Sequence, residues 1–582
     1  MFKRKSTKSK CKSEEPKSYS CMCKSCGWRD NADLLVYDFT EIIKENWNRK
    51  IQSGDGKKYS ISKNDIENLI DACLPPSNIN ECRTMKGFPF LFTQDEIIKN
   101  FVFSNNFEKG KTGEVILSIP AEKLLKNIES FREKNEVILK NSLLEGNDRM
   151  TKFEAIEKFE KAIKSEKNAK ESTSGKSTEN PLDFYIVVKL SWIGRTPIMI
   201  IDNAKSGKKI NRCCPVCGKP MNIHAGEYPE ITMTVIGASH VSKTTTVAAA
   251  LNSLDSLSGN KLWVSDDINV NTEWRDFREN YIKPYSEGEK VTSTDIAFND
   301  IPRFSVELTY RGFNTVLRKF IISFIDLPGE FWASNKSHTK DTNSEIDEER
   351  DIQDSNTVQL NKYNEIFDNI DFIWCCIDAA MIADNVRTNN DNGNIPTVNE
   401  LKKKAGYDDK VAIPDFDEMN GRLVTLNSYL MRSKKPKCGI TILGKIDILP
   451  EEFNEYKRYK ENHNREMLID KKGNFIAGNF KVKSYNIKLK LTKYHDNNVD
   501  GFINTFEDVF RGCNAYTVTT NYGFAPEDDH EERILEPYNT EVPLLWMLAC
   551  AGIIPVKLGG GESILATDEK SKLKVWNALK GR

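Results

Sequence analysis

Residues 231–254, ITMTVIGASHVSKTTTVAAALNSL, constrain this chain more than any other stretch. An apolar run ends at Gly237, a short polar loop follows, and an Ala-rich helical pattern opens at Lys243. From Gly237 to Thr244 the loop reads G-x-x-x-x-S-K-T, one letter away from the phosphate-cradling G-x-x-x-x-G-K-[ST]. That device works through backbone geometry: successive N–H groups curl around phosphate oxygens, and the following helix adds the positive end of its dipole. Lys243 would bridge the terminal phosphates, the Thr244 hydroxyl would bind Mg²⁺, and Thr245 completes the candidate set. Glycine is wanted where φ is positive or where a Cβ would strike phosphate. Gly237 meets that need; Ser242 stands where the second glycine is expected. If its φ is positive, the serine costs about 1–2 kcal/mol, which weakens the motif without cancelling it.

The surrounding pattern fits the same device. Apolar strands and helical segments alternate from residue 231 onward: TVIG, a hairpin of FSVELTY and FIISFID, then FIWCCID, GITIL and AYTVTT, with helices between them. Near-continuous apolar strands separated by helices predict an α/β domain with a mainly parallel sheet covered on both faces. The expected organisation is a basic disordered tail over 1–20, a split zinc ribbon at 21–29 and 213–226, and an inserted α+β region over 30–212. A P-loop domain over 227–558 and a tail over 559–582 complete it.

Two further segments supply candidate site residues. In FIISFIDLPGE, Asp326 ends an apolar strand and Gly329 follows three positions later. An Asp there can hold Mg²⁺ through water, and the glycine N–H can meet a γ-phosphate; the same letters also make an ordinary turn. In GITILGKIDIL, Lys445 and Asp447 follow another apolar strand and match K-x-D of a guanine-reading [N/T]-K-x-D pattern. The carboxylate would accept from guanine N1 and N2 while the lysine stem lies along the base; adenine offers no such donor pair. Gly444 stands where Asn or Thr is usual, so one loop-bracing hydrogen bond is missing. Lys-x-Asp is common on surfaces, and only its order and its place after a strand give it meaning.

These segments in this order resemble the TRAFAC clade of P-loop GTPases, and its double-GTPase-like branch in particular. The text that carries the likeness is CCPVCGKPMN, ITMTVIGASHVSKT, IDLPGE, DFIWCCIDAA, LGKID and EVPLLWML, spread over about 213–555. The resemblance implies GTP and GDP as ligands, Mg²⁺ as cofactor, and hydrolysis used as a conformational switch. It implies a switch I threonine, with Thr294 favoured over Thr292, and puts Glu330 where relatives carry a water-orienting Gln. A carboxylate there repels the γ-phosphate, so slow hydrolysis is expected. Arg275 and Arg278 are candidates for a charge-stabilising arginine, His240 reads as an exposed loop side chain, and Thr519, Thr520 and Asn521 fall where the base-side loop belongs. Two other readings stay open: a degenerate pseudo-GTPase that serves as a scaffold or binding module, and a P-loop ATPase.

Cysteine usage adds a separate element. C-x-x-C occurs as Cys23/Cys26 and again as Cys214/Cys217, the spacing that lets two thiolates meet one tetrahedral Zn²⁺. Two such knuckles make a closed, structural Cys₄ site, with the 30–212 region inserted between them. Cys21 and Cys213 blur the register, and a redox C-x-x-C is the competing reading. The remaining cysteines read as core residues.

Composition limits the partners. Lys and Arg number 84 against 85 Asp and Glu, so no whole-molecule field favours nucleic acid, which is not expected as the main partner. The apolar segment at 543–556 is shorter than the ~18 residues a membrane span needs and reads as a buried helix. A cytoplasmic protein without a membrane span is expected, with a protein partner reading either the switches or the 30–212 region.

Overall fold

The computed structural model describes residues 18–52, 61–76, 84–103, 112–145, 147–171, 182–193, 196–201, 209–238, 241–254, 262–265, 271–289, 291, 303–312, 317–326, 366–382, 399, 402, 413–431, 437–446, 468–493, 497–521, 537–559 and 561–580. The chain forms two compact units, residues 1–229 and 230–582. No described helix is long and apolar enough to cross a membrane.

In the N-terminal unit the cysteine knuckles and the inserted region form one body. A four-stranded antiparallel sheet, ordered Thr196–Ile201, Phe184–Ile193, Gly113–Ile119, Val102–Phe103, shares a core with helices Thr40–Gln52, Lys63–Cys73, Ala121–Lys134 and Lys152–Glu171. Trp47 sits at its centre, stacked on Phe159 at 5.9 Å, with its indole N–H donated to the Leu182 carbonyl. Reciprocal capping boxes at Ser62/Asp65 and Thr93/Glu96 start two of the helices. The apolar pattern over 121–144 suggests one helix, but the structure breaks it at Asn135. There the buried amide donates to the carbonyls of Phe131 and Lys86, ending one helix before Glu136–Asn141 begins. Conversely, helix Lys152–Glu171 runs on into KSEKNAKESTSGKSTENP, a polar run whose composition suggests a loop.

The C-terminal unit is mixed α/β. Its sheet has seven strands: β1 Glu230–Gly237, β2 Leu262–Val264, β3 Arg303–Arg311, β4 Leu317–Asp326, β5 Phe372–Asp378, β6 Cys438–Gly444 and β7 Cys513–Val518, in spatial order β2-β3-β4-β1-β5-β6-β7. From β4 to β7 every pairing is parallel; β3 is antiparallel to both its neighbours. β1, β5, β6 and β7 are buried almost throughout, as a sheet covered on both faces requires. The longer helices among the described residues are α1 Lys243–Asn252, α2 Phe416–Leu430, α3 Ala477–Lys493, α4 Asn497–Val509, α5 Val542–Cys550 and α6 Glu569–Leu579. Every residue of α5 is buried, with Trp546 edge-on to Phe372 of β5. Gly439 lets Phe510 lie flat on β6: a Cβ there would come within 2.5 Å of the ring. The tail expected over 559–582 is built into the fold instead. Ser563–Ile564 pairs with Val556–Lys557, and α6 buries Val575 and Leu579.

One buried charge cluster secures the last part of the N-terminal unit. Glu227 accepts from Lys209 at 3.1 Å and Arg212 at 2.9 Å, and its second oxygen lies 3.1 Å from His224 Nδ1. Burial alone would raise the Glu227 carboxyl, but the His224 hydrogen bond and the Arg212 and Lys209 charges hold it down at about 2. A depressed carboxyl contributes stability above its unfolded value near 4.5, and that stability fades as pH falls toward 2. Glu227→Gln should therefore destabilise this unit by about 2–3 kcal/mol at pH 7. The wild-type advantage should shrink between pH 4.5 and 2, read by denaturant unfolding against pH.

Candidate functional site

The carboxyl ends of five neighbouring strands set the site. In register, Val235 of β1 faces Asp326 of β4, Gly237 of β1 faces Cys376 of β5, Asp378 of β5 faces Gly444 of β6, and Leu443 faces Val518 of β7. The strand order reverses about β1, which has β4 on one side and β5 on the other, and open α/β sheets take ligands beyond the strand tips at such a point.

Ser242 has φ 59° and ψ 34°, in the left-handed region, and its side chain makes no cap bond to the helix it precedes. Gly237 has no room for a side chain: a Cβ would lie 2.7 Å from the Cys376 carbonyl and 2.7 Å from Val241. The Lys243 ammonium folds over its own loop, donating to the carbonyls of Ala238 at 2.9 Å and Gly237 at 3.2 Å. Thr244 is partly exposed at the start of α1, and Thr245 is buried. Arg422 of α2, also buried, donates to the Gly237 carbonyl at 3.1 Å and pairs with Glu418 one turn earlier.

Beside it lies the loop after β6. Lys445 has φ 56°, and its ammonium lies 2.7 Å from the fully buried Asp378 carboxylate, whose other oxygen accepts from the Ala380 N–H. Thr519 follows β7 and donates its N–H to Leu443. Asn521 donates from its amide to Thr246 of α1 at 3.3 Å, and its carbonyl accepts the buried Tyr285 hydroxyl at 2.6 Å. The structure thus brings Gly237, Ser242, Lys243, Thr244, Asp326, Lys445 and Thr519–Asn521 to one edge of the sheet. Thr294, Gly329, Glu330, Asp447 and His240 lie outside the described residues. Arg275 and Arg278 are exposed on their helical segment, and Arg275 pairs with Asp276. Asp378, Arg422 and Tyr285 escaped sequence reasoning. For Asp378 a signal existed: FIWCCID ends an apolar strand on Asp, as FIISFID does.

In the N-terminal unit, Cys23, Cys26, Cys214 and Cys217 are buried with their sulfurs all within 4.8 Å of one another. The two knuckles match in detail. Gly27 and Gly218, each following the second cysteine, have φ 81° and 71° and donate back to the carbonyls of Cys23 and Cys214. Cross-knuckle sulfurs lie 3.6 Å (Cys23–Cys217) and 3.5 Å (Cys26–Cys214) apart. Sulfurs on a tetrahedral zinc with Zn–S of about 2.3 Å lie about 3.8 Å apart, so the group fits such an ion. Hydrogen bonds from Cys214 and Cys217 hold the Cys23 thiol well below its usual value, while contacts with Cys214, Cys23 and Cys26 push Cys217 up. Four thiolates this close need a cation to neutralise them. Cys21 falls outside the group and packs with Ala32, Leu35 and Ala225; Cys213 is buried, and desolvation raises its thiol. Of the cysteines expected in the core, Cys73, Cys375, Cys376, Cys438, Cys513 and Cys550 are buried, and Cys82 lies outside the described residues.

No protein-family model matches the chain, and no curated protein matches it. Among solved structures it is similar to the G domain of the T. maritima FeoB iron transporter, at 14% identity over 40% of this chain and 83% of that one, TM-score 0.13. It is similar to a septin GTPase domain from Chlamydomonas reinhardtii, at 15% identity over 60% and 91%, TM-score 0.17. A third is the S. cerevisiae Ski7 GTPase-like domain bound to GTP, at 15% identity over 42% and 41%, TM-score 0.14. At scores this low, none of the three carries weight.

The strained serine yields a direct expectation. Ser242→Gly removes a left-handed penalty of about 1–2 kcal/mol and adds back about 0.5–1 kcal/mol of glycine chain entropy. The variant should be neutral or up to about 1 kcal/mol more stable in denaturant unfolding. Gly237→Ala should lower stability, because backbone has to move to admit the methyl group.

Proposed function

We propose that the C-terminal unit is a P-loop domain of the TRAFAC type that binds GTP and GDP with Mg²⁺ and hydrolyses GTP slowly as a conformational switch. The carrying observation is the gathering of Lys243, Asp326 and Lys445 at adjoining strand tips, beside a β1–α1 loop whose serine holds a glycine-like backbone. In this reading Lys243 leaves the loop carbonyls for the terminal phosphates, and loop N–H groups with the α1 N-terminus hold the rest. Thr244 and Asp326 would hold Mg²⁺, which would supply positive charge against the negative charge developing on the transferring phosphoryl group. Asp447 reads guanine, and Thr294, Gly329 and Glu330 belong to the switches. The long charged segment after Gly329 suits a protein partner that senses the nucleotide state. The four-cysteine group holds a structural Zn²⁺ that closes the N-terminal unit, with no open position for catalysis.

A scaffold that binds nucleotide without turnover is the second reading, favoured by Gly444 and by the carboxylate of Glu330 in place of Gln. Affinities for GTP, GDP and ATP with and without Mg²⁺, together with phosphate release, separate the possibilities. Guanine nucleotides should bind in preference to ATP, and Lys243→Ala should weaken them roughly ten- to hundredfold, the scale of one charge-assisted contact. Asp447→Asn should move preference toward xanthosine triphosphate. Binding without phosphate release would establish the scaffold, and preference for ATP would overturn the guanine assignment. Metal analysis should find about one zinc per chain, with Cys214→Ser losing the metal and unfolding the N-terminal unit more easily.

A further inference from the structure

We propose that Asp378 is a positioning residue for the base-reading loop, fixing Lys445 so that it presents its methylene stem rather than its charge to a guanine base. The inference rests on the nucleotide reading above and adds a residue that reading does not contain.

Lys445 is one of three non-glycine residues with positive φ among the described residues. A left-handed lysine at a loop start is held only if its surroundings over-determine it. One restraint is in place. The ammonium pairs at 2.7 Å with a carboxylate of zero side-chain exposure, and that carboxylate is itself held by the Ala380 N–H. The short separation and the burial make this pair strong, and both partners suffer if either is removed.

A second restraint that could stand beside it is missing. Gly444 carries no side chain, and a Cβ there would meet only the Ile377 carbonyl at 3.8 Å and the Thr519 hydroxyl at 3.9 Å, ordinary contact distances. That hydroxyl is buried with no hydrogen-bond partner among the described residues. A polar side chain at 444 would fit the space and satisfy the hydroxyl. In this chain the loop is braced from the β5 side instead, through Asp378. The ion pair also consumes the lysine's charge, so what Lys445 offers a flat aromatic ring is its aliphatic stem.

The test uses the full chain with three probes: GDP, ADP and inorganic pyrophosphate, each with Mg²⁺. Asp378→Asn should weaken GDP roughly tenfold while leaving pyrophosphate within about twofold, so that preference for GDP over ADP falls. Gly444→Asn should tighten GDP a few-fold, and in the double variant it should recover part of the loss, because it gives the loop an independent brace. An equal loss for all three probes would make Asp378 merely structural and overturn the proposal, as would an unchanged GDP affinity. If Asp378→Asn does not fold, Gly444→Asn alone decides: no gain for GDP counts against the missing brace. A wild-type chain that binds neither GDP nor pyrophosphate fails the nucleotide reading itself, whereas one that binds GDP and ignores the Asp378 change fails only this inference.

Discussion

The structure of the C-terminal unit depends on one tight reversal, from the central strand β1 into α1. Between Gly237 and Lys243 the chain must leave a fully buried strand and start a helix pointing back over the sheet. Two positions bear the cost. At Gly237 the neighbouring strand is so close that a methyl group would strike the Cys376 carbonyl. At Ser242 the backbone turns left-handed, which costs an L-residue about 1–2 kcal/mol. Arg422 lies on the other side of the balance: a buried guanidinium on the Gly237 carbonyl is a charge-assisted bond of about 1.5–3 kcal/mol. That contact fixes the Gly237 end of the turn against α2.

The same logic recurs at the loop after β6. Two of the three left-handed non-glycine residues, Ser242 and Lys445, sit at a strand-to-helix or strand-to-loop exit on one edge of the sheet. The loop that holds Ser242 meets the buried Arg422 of α2 at its Gly237 end, and Lys445 meets the buried Asp378 of β5. Buried charges rarely improve stability over apolar packing, but they fix a geometry sharply, because misplacing either partner exposes the full desolvation penalty. Such pairs therefore suit loops whose backbone must be exact in position and need not contribute to the core.

What could be read beforehand follows from how local each feature is. The placement of the β1–α1 loop, Asp326 and Lys445 at strand ends was legible because each ends or follows an apolar strand, and neighbouring strands of a parallel sheet end on one side. The knuckle pairs were legible for a similar reason, and the glycine after each C-x-x-C, Gly27 and Gly218, marks the register that Cys21 and Cys213 left open. Asn135 was not legible, since its capping bonds reach back to Lys86 across the fold. Nor was α6, whose modest amphipathic pattern after a glycine run gains meaning only when Val575 and Leu579 meet the core. Asp378, Arg422 and Tyr285 act across 67, 185 and 236 positions or through tertiary packing, and no window of sequence contains both ends.

Tyr285 shows what those long-range bonds accomplish together. Its hydroxyl is buried on the Asn521 carbonyl; the Asn521 amide reaches Thr246; and the Thr246 hydroxyl bonds the carbonyl of Ser242. The ring itself packs on Ala248 and Ala249 of α1, residues small enough to let the helical segment 272–286 approach closely. That segment contains a π-helical turn at Arg278–Ile282, an irregularity that shifts side chains around the helix axis relative to a regular α-helix. The relay joins the segment before residue 290, the loop after β7 and the β1–α1 turn, its first two bonds buried and its third partly so. Removing the Tyr285 hydroxyl would leave the buried Asn521 carbonyl without that donor, at about 1–3 kcal/mol. The three pieces are therefore tied to one another by side-chain bonds as well as by chain connectivity.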